Sequence, residues 1–424
     1  MSRPSPGRLR SSSPGRRLLR GGALIAVAMG VMNLTTYGFV ILAARLLGPE
    51  EYGALAAVMG VLLVVNVLSL GLQATAARRV SANPGDLPRI EHEVMATSWV
   101  AAVALGVVML AASPVVTAAL SLDSGAVAAL VAVTAVPLSV MGGQAGVLQG
   151  EQRWGPLAGI YLAVGLGRIG CGAVALAVRQ DTFGAMVGVT VGAVVPVVVG
   201  GLALRRPDRR AASGGAPTRA AGRWAPGGVL RETLTNSHAL LAFFALSNAD
   251  VVVARVTLPE HEAGLYAGGL ILAKAVMFLP QFVVVIAFPT MSRLGAGREV
   301  RLLSLVAVLG IGSATVLGTA ALSSWAVVFV GGGEYAGLQG RLWLFAVLGT
   351  LLAMLQVMAY TIVARQRRRA VLFVWGALAV LLGATPFLSS LPELLAVVLV
   401  VDAALFAVLL ARSLAPSYDR VLDV

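Results

Sequence analysis

The sequence predicts an all-α integral membrane protein, and three observations lead to that fold class. Apolar residues make up 58% of the 424 residues and charged residues only 12%, against about 45–50% and 25% in ordinary soluble domains. Several charge-free stretches each exceed the roughly 18–20 residues that cross a bilayer as a helix, and they are 21–44, 54–77, 94–122, 302–333 and 342–364. Membrane barrels are excluded because their strands alternate in character and span in about 9–11 residues.

The apolar stretches and the polar connections between them predict about twelve transmembrane helices. These are expected at 21–47, 54–77, 90–120, 124–149, 155–178, 182–204, 230–256, 263–292, 301–330, 336–364, 370–389 and 393–411. The first stretch follows a basic tail and is too long for the apolar part of a typical signal peptide. It is therefore expected to remain as the first helix of a multi-pass protein.

The net charge of +13 marks one side of the membrane. All but one of the 32 basic residues are arginines, and most lie in every second connection, which are 78–89, 151–155, 205–231, 293–301 and 365–369. The connections between them carry acids instead, such as Glu50, Asp123 and Asp181. Cytoplasmic loops are enriched in Lys and Arg, so this pattern predicts a plasma-membrane protein with both termini in the cytoplasm. No nucleic-acid partner is needed to explain the charge.

An internal repeat and one long linker divide the chain into two halves. The predicted domains are a disordered basic tail (1–20), a six-helix bundle (21–204), a cytoplasmic linker (205–229), a second six-helix bundle (230–412) and a cytoplasmic tail (413–424). AARLLGPEEYGALAA at 43–57 resembles VARVTLPEHEAGLYAGG at 253–269, and Arg45 aligns with Arg255 at an offset of 210. Two repeats of the same orientation predict two bundles related by an axis along the membrane normal, around a central cavity.

Several enzyme classes are excluded because the residues that they need are missing. The single lysine is followed by alanine, so there is no P-loop and no nucleotide site. Neither HEVMA at 92–96 nor HEAGL at 261–265 completes a zinc-protease motif, and no G-x-S-x-G elbow occurs. Cys171 is the only cysteine. We therefore expect no catalytic residues, no metal and no cofactor, and predict that the protein is not an enzyme.

Arg168, Lys274, Asp250 and Asp402 are ionisable residues inside predicted spans, where a charge is costly and usually faces a cavity or a partner. Arg168, among small neighbours in GLGRIGCG, and Lys274 are predicted to bind an anionic substrate in the cavity. Asp250 and Asp402 are candidates for the acidic or ion-coupling residues of that cavity. The alternative for all four is an interior ion pair that only fixes the packing of the helices.

Polar side chains also repeat at helical spacing inside the spans. Residues four or seven apart lie on one stripe of a helix, and the sequence therefore predicts further cavity-lining residues, namely Asn33, Tyr37, Asn66, Gln73, Gln281, Gln356 and Tyr360. Hydrogen bonding between helices, worth about 0.6 kcal/mol per pair in a membrane, would explain any one of them equally well. Their occurrence in four spans favours a hydrated interior.

Two arginines are predicted at the outer mouth of the cavity. Arg45 and Arg255 end the first helix of each half and could meet the substrate there. Arginines at such edges also commonly extend towards the interface, or pair with a neighbouring acid such as Glu50 or Glu260. Both readings stay open.

At this point the residues resemble a known family. ARLLGPEEYGALAA after the first span, LQGEQRW at 148–154 and the segment 249–294 are similar to the polysaccharide-transporter branch of the multidrug/oligosaccharidyl-lipid/polysaccharide flippase superfamily. The similarity in spacing covers roughly residues 20–412. The resemblance implies two six-helix bundles forming a V around a central cavity.

The resemblance also implies a function. The expected activity is movement of undecaprenyl-diphosphate-linked oligosaccharide from the inner to the outer leaflet by alternating access, for cell-surface polysaccharide biosynthesis. The expected partners are the lipid-linked glycan, the bilayer and a glycan polymerase or glycosyltransferases. Open alternatives are an ion-coupled multidrug exporter of the same fold and a lipid II flippase. A membrane-bound polymerase would need a large outer loop, and a passive scaffold would leave the polar stripes unexplained.

Overall fold

The computed structural model of the chain describes residues 14–205, 226–294, 298–364 and 368–414. Side chains are described for most of 21–205, 240–277, 302–358 and 371–413. The predicted tails and linker lie mostly outside these ranges and remain predictions. The side chains of Gln281 and Tyr360 also lie outside the described part.

The described chain is helical and contains no strand. The helices are α1 Pro14–Val65, α2 Val67–Ala82, α3 Leu87–Ala119, α4 Gly125–Gly150, α5 Trp154–Val178, α6 Thr182–Leu204, α7 Pro226–Thr257, α8 Glu260–Leu294, α9 Arg298–Ala321, α10 Ser323–Val330, α11 Leu342–Ala364, α12 Arg368–Ala384 and α13 Leu391–Leu414. Short 3₁₀ turns occupy Pro84–Asp86, Gly333–Leu338 and Thr385–Phe387. The predicted all-α class is confirmed.

The connection predicted between the first two spans is only a kink. Gly48 has φ 72° and ψ 176° inside α1, a left-handed conformation that glycine adopts without steric cost. Pro49 follows at the first position of the next helical segment, where its missing N–H costs nothing. A Cβ at position 48 would also lie 2.7 Å from Oε2 of Glu334. The chain therefore reverses direction at a single residue.

The helices account for the predicted number of crossings. Within the described residues, eight stretches are long and apolar enough to span a bilayer, and the first of them, Gly21–Ala82, has 62 residues. A straight helix of that length would measure about 93 Å, about three times the hydrocarbon thickness, so the kink at Gly48 divides it into two crossings. Shorter described apolar stretches lie in α11 and α12. Together with α8, these give twelve crossings.

We call α1–α6 the first half and α7–α13 the second half, following the predicted division of the chain. In the first half α1 lies against α5, α4 packs on α2, α3 and α6, and α5 packs on α6. In the second half α8, α9 and α13 pack on α11, while α7 packs on α12. Across the boundary, α1 contacts α7 and α8, and α2 contacts α7. The largest buried apolar cluster contains residues of both halves.

The two ends of the bundles carry different residues. We call one end the kink face, and it comprises residues 48–51, 120–124, 179–181, 258–260, 331–341 and 385–390. We call the other end the arginine-rich face, and its described part comprises 78–89, 151–153 and Arg205. Every connection between consecutive crossings in the described chain lies at one of these two ends.

Candidate functional site

A hydrogen-bonded trio of polar side chains lies inside the first half, towards the arginine-rich face. The Gln73 Nε2 donates to Gln149 Oε1 at 2.9 Å and to the Tyr161 hydroxyl at 2.9 Å. These residues come from α2, α4 and α5. Gln149 is exposed, whereas Gln73 and Tyr161 are half-buried, so the trio opens to the surroundings through Gln149.

A ridge of small residues brings the trio together. Gly142, Gly146 and Gly150 lie four residues apart on α4, and each meets α2 so closely that a Cβ would overlap it. The Ser69 hydroxyl adds a 2.6 Å hydrogen bond to the Leu138 carbonyl. Small residues let membrane helices approach closely without a hydrophobic driving force. The ridge therefore holds Gln73 within reach of Gln149.

The trio keeps hydrogen-bonding capacity that no described residue uses. An amide offers two N–H donors and one acceptor oxygen, and a phenol offers one of each. Gln73 spends both donors, so its oxygen remains available, as do the Gln149 amide hydrogens and the Tyr161 hydroxyl hydrogen. Such a mixture of donors and acceptors suits hydroxyl-rich ligands.

Arg168 lies on the same stripe of α5 as Tyr161, seven residues further along the helix. At 1.5 Å per residue this places it about 10 Å deeper in the half. Its side chain is half-buried, and within the described chain it forms no hydrogen bond or ion pair. The neighbouring glycines 165 and 167 are closed off by α1 and α6, so they serve close packing rather than leaving space, whereas Gly170 has nothing within 4 Å.

The second half contains a different polar cluster, in which acids and a cation meet. The Lys274 Nζ donates to Asn248 Oδ1 at 2.7 Å. Asp250 accepts from the Tyr266 hydroxyl at 3.2 Å and from the Val251 N–H at 2.8 Å. The charge of Asp250 acts on Lys274 and also on Asp402, which is only 3% exposed.

The remaining predicted lining residues are distributed over both halves. Asn33 and Tyr37 are half-buried on α1. Asn66 lies at the break between α1 and α2, and its buried Oδ1 accepts no hydrogen bond from a described residue. Gln356 is 7% exposed on α11. The structure therefore places Gln73 in the trio and Arg168 on the helix stripe of Tyr161, and it groups Lys274, Asp250 and Asp402 in the second half.

Sequence reasoning missed four residues of these two sites. They are Gln149, Tyr161, Asn248 and Tyr266. Gln149 lies in the LQGEQRW repeat, and Tyr161 lies seven residues before Arg168, so both could have been found by extending the polar stripes. Asn248 lies two residues before Asp250 in the sequence. Its hydrogen bond with Lys274 on α8 could not be predicted, because it depends on how the two helices cross.

At the kink face, the two predicted mouth arginines hold the halves together. The Arg45 Nη2 donates to the Val328 carbonyl at 2.8 Å. Arg255 reaches the other way: its Nε donates to the Leu120 carbonyl at 2.9 Å and its Nη2 to the Ser121 carbonyl at 3.1 Å. Arg255 also pairs with Glu260 at 3.0 Å. The predicted pairing with the neighbouring acid is thus present for Arg255, together with contacts across the boundary.

Backbone contacts reinforce this junction. Gly264 on α8 lies so close to the Pro49 carbonyl that a Cβ there would overlap it, and a Cβ on Gly53 would lie 2.9 Å from the Gly264 Cα. The buried Tyr335 hydroxyl donates to the Ala44 carbonyl at 3.3 Å. The halves are therefore in close contact at the kink face.

Comparison with solved structures supports the fold. An inward-facing multidrug resistance MATE family transporter of the MOP superfamily superposes with a TM-score of 0.67 at 13% identity, covering 91% of this chain and 93% of that one. An outward-facing multidrug resistance MATE family transporter superposes with a TM-score of 0.55 at 15% identity, covering 93% of this chain and 94% of that one. A eukaryotic MATE transporter superposes with a TM-score of 0.56 at 14% identity, covering 95% of this chain and 97% of that one. At these identities the likeness establishes the fold.

Family comparison supplies the assignment. No curated protein matches the chain significantly. The family described as polysaccharide biosynthesis protein matches residues 18–295, which is well over half of the chain. The chain therefore belongs to the polysaccharide biosynthesis protein family, a membrane transporter family of the MOP flippase superfamily.

Proposed function

We propose that the chain moves undecaprenyl-diphosphate-linked oligosaccharide from the inner to the outer leaflet of the plasma membrane, for cell-surface polysaccharide biosynthesis. The arginine-rich face lies in the cytoplasm and the kink face lies outside, because arginine-rich connections stay on the cytoplasmic side. Glycosyltransferases supply the lipid-linked glycan inside, and a glycan polymerase uses it outside.

The observation that carries this proposal is the polar site of the first half. Arg168 is a cation without a described acidic partner, and the Gln73–Gln149–Tyr161 trio lies about two helical turns nearer the arginine-rich face. A guanidinium binds phosphate oxygens through several donors, while amide and phenol groups suit sugar hydroxyls. One site thus offers complements to both parts of the headgroup.

The physical task explains why such a site is needed. A diphosphate and its sugars cannot enter hydrocarbon unaided, because unpaired charges and hydroxyls there are very costly. A hydrated cavity between the halves would accept the headgroup while the polyprenyl tail stays in lipid. In this scheme the path of the headgroup is lined by Asn33, Tyr37, Asn66 and Gln356. We propose that Gln281 and Tyr360 line the same path.

The contacts at the kink face fit one state of an alternating-access cycle. The arginine and backbone contacts described above close that face, so a headgroup loaded from the cytoplasm would be held. Release outside requires these contacts to break. Both arginines therefore act at the outer mouth by closing it rather than by binding cargo.

The acidic cluster of the second half supports a role in coupling. Asp250 is close enough to interact electrostatically with both Lys274 and Asp402, and all three belong to the second half. A cation or proton exchanged at this cluster would change its charge and could drive closure or opening. The same acids are the observation that favours the second candidate function, an ion-coupled multidrug exporter; a lipid II flippase is the alternative cargo assignment.

Reconstitution distinguishes these functions. Purified protein in vesicles is given lipid-linked oligosaccharide on one leaflet, and exposure of the glycan on the other leaflet is followed with a membrane-impermeant glycosidase. We expect wild-type protein to expose the glycan and Arg168→Ala to lose at least tenfold in rate. Transport of cationic dyes with no movement of the glycan lipid would instead establish the exporter.

A further inference from the structure

The acidic cluster of the second half contains two buried carboxylates in different surroundings. Asp250 on α7 is 2% exposed and accepts hydrogen bonds from the Tyr266 hydroxyl and the Val251 N–H. Asp402 on α13 is 3% exposed and accepts no hydrogen bond from a described residue. Hydrogen bonds to a carboxylate stabilise its charged form, so the surroundings favour a charge on Asp250 more than on Asp402.

Lys274 places its positive charge beside Asp250 without a direct ion pair. Its Nζ donates to Asn248 Oδ1 at 2.7 Å, and no carboxylate of the described chain pairs with it directly. The Asn248 Nδ2 donates to the Phe244 carbonyl at 2.9 Å and to the Ser247 hydroxyl at 3.3 Å, which fixes the amide oxygen towards Lys274. The ammonium still interacts electrostatically with Asp250, and it is therefore the counter-charge of that acid.

The ionisable groups around Asp402 come from two helices. Asp250 on α7 and Tyr266 on α8 both interact with Asp402 electrostatically, and Lys274 on α8 lies next to Asp250. The other helices that pack on α13 are α11 and α12, and their described side chains include no ionisable group. Two carboxylates and one ammonium therefore share this buried region. With both acids ionised, one negative charge would stay uncompensated, which is costly inside a membrane.

A single proton balances this charge. Two neighbouring buried carboxylates do not readily ionise together, because the first charge repels the second. Asp250 has two hydrogen-bond donors and a nearby cation, whereas no described donor reaches Asp402. Both oxygens of Asp250 already accept a hydrogen bond, which favours a proton over a metal cation bridging the two acids. The proton therefore belongs on Asp402.

We propose that Asp402 takes up and releases one proton in each transport cycle, while Asp250 stays ionised beside Lys274. Uptake transfers a proton from hydronium in the aqueous phase to a carboxylate oxygen of Asp402, which leaves water and a neutral carboxyl group. Release is the reverse transfer. This assignment rests on the proposed function, for which it names the coupling ion and the residue that carries it.

Helix α7 connects the cluster to the boundary between the halves. A Cβ at Gly60 of α1 would lie 3.0 Å from Cγ1 of Val251 and 3.5 Å from the Asn248 carbonyl oxygen. When Asp402 loses its proton, its negative charge attracts Lys274 away from the Asn248 side chain. Asn248 and Val251 belong to the turn of α7 that touches α1, so the charge of Asp402 affects the contact between the halves.

Infrared spectroscopy tests the proton site without any transport step. The purified full chain in detergent is titrated from acidic to alkaline buffer, and the C=O band of a buried protonated carboxyl group is followed. We expect wild-type protein to lose one such band, which Asp402→Asn lacks and Asp402→Glu restores at a shifted frequency. Asp250→Asn should lose the band in more acidic buffer, because the repelling charge is gone. Glu393→Gln, which changes an exposed acid of the same helix, is the matched control and keeps the wild-type titration.

The vesicle assay adds the transport readout. With acidic buffer on the side to which the glycan moves, we expect the wild-type rate to rise about tenfold and the Asp402→Asn rate to show no rise. Wild-type glycan movement that responds to a sodium gradient and not to the proton gradient overturns the Asp402 proposal alone. An unchanged carboxyl band in Asp402→Asn has the same consequence. A carboxyl band lost in Asp402→Asn, with no glycan movement by wild-type protein, removes the proposed function alone.

Discussion

Arg45 and Arg255, 210 positions apart, make the same type of contact in opposite directions. Each ends the first crossing of its half and donates to a carbonyl near the end of the third crossing of the other half. The acceptors are Val328 for Arg45 and Leu120 for Arg255, which are themselves 208 positions apart. The internal repeat in the sequence is thus matched by a repeated contact across the boundary.

The Arg255 contact should contribute more to closure than the Arg45 contact. Arg255 is buried and bonds two carbonyls, whereas Arg45 is exposed and bonds one. Hydrogen bonds to a charged group contribute about 1.5–3 kcal/mol each, so Arg255→Ala should shift the population away from the closed kink face. We expect spin labels at positions 123 and 262 to move apart in Arg255→Ala and to change little in Arg45→Ala. Equal distances in both variants would contradict this ranking.

Gly264 should be intolerant of a side chain. A Cβ there overlaps the Pro49 carbonyl, and backbone atoms cannot move aside as a flexible side-chain end can. Gly264→Ala should therefore open the kink face or lower the melting temperature by several degrees. Gly376→Ala is the control, because a Cβ at that position meets nothing within 4 Å. A wild-type melting temperature and wild-type label distances in Gly264→Ala would show that the contact is not needed.

Removing the interior cations should impair glycan export without removing the protein. Arg168 and Lys274 are described cations deep inside the spans, and we expect Arg168→Ala and Lys274→Ala to lower surface glycan while protein levels in the membrane stay unchanged. Arg168→Lys keeps the charge and should retain more export than Arg168→Ala. Wild-type export from both alanine variants at normal expression would exclude these residues from the substrate path.

The trio in the first half should act through Gln73. Gln73→Ala removes both donors that order Gln149 and Tyr161, so export should fall at least severalfold. Tyr161→Phe removes only a hydroxyl and should have a smaller effect. The control is Gln339→Ala, whose amide pairs with Ser324 near the kink face. The measurement is surface glycan staining. Equal staining in Gln73→Ala and Gln339→Ala would show that the trio serves only helix packing and not export.

The orientation of the chain can be tested with single cysteines. In a Cys171→Ser background, a cysteine at Asp123 on the kink face should react with an impermeant maleimide added to intact cells. A cysteine at Asn83, on the arginine-rich face, should react only after the cells are opened. Both positions are exposed, so access decides the result. The reverse pattern would place both termini outside.

The sequence was sufficient for the fold class because apolar length and charge alternation follow directly from the bilayer. It was less informative about the turn at Gly48, where six residues were expected to connect two spans and one residue does so. The cause is local: a positive φ followed by Pro49 lets one segment end and the next begin without a loop. No hydropathy profile resolves such a turn.

The polar sites were only partly predictable for a related reason. Gln73 and Arg168 could be selected because an amide or a charge in a span needs a partner or a cavity. Gln149 and Tyr161 could have been added as polar residues of the same stripes, but their contact with Gln73 could not be predicted, because it depends on how closely α2 and α4 pack. The carbonyls that receive Arg45 and Arg255 are backbone groups, which carry no residue signature at all.

The turn at Gly48 leaves no slack between the first two crossings. A flexible connection would let each of them tilt independently, whereas here the left-handed glycine and the proline couple their inclinations. Glu334 of the other half lies directly against this turn. The first two crossings therefore form a stiff hairpin whose turn rests against the other half. Any tilting of one crossing is transmitted through this turn to the other crossing.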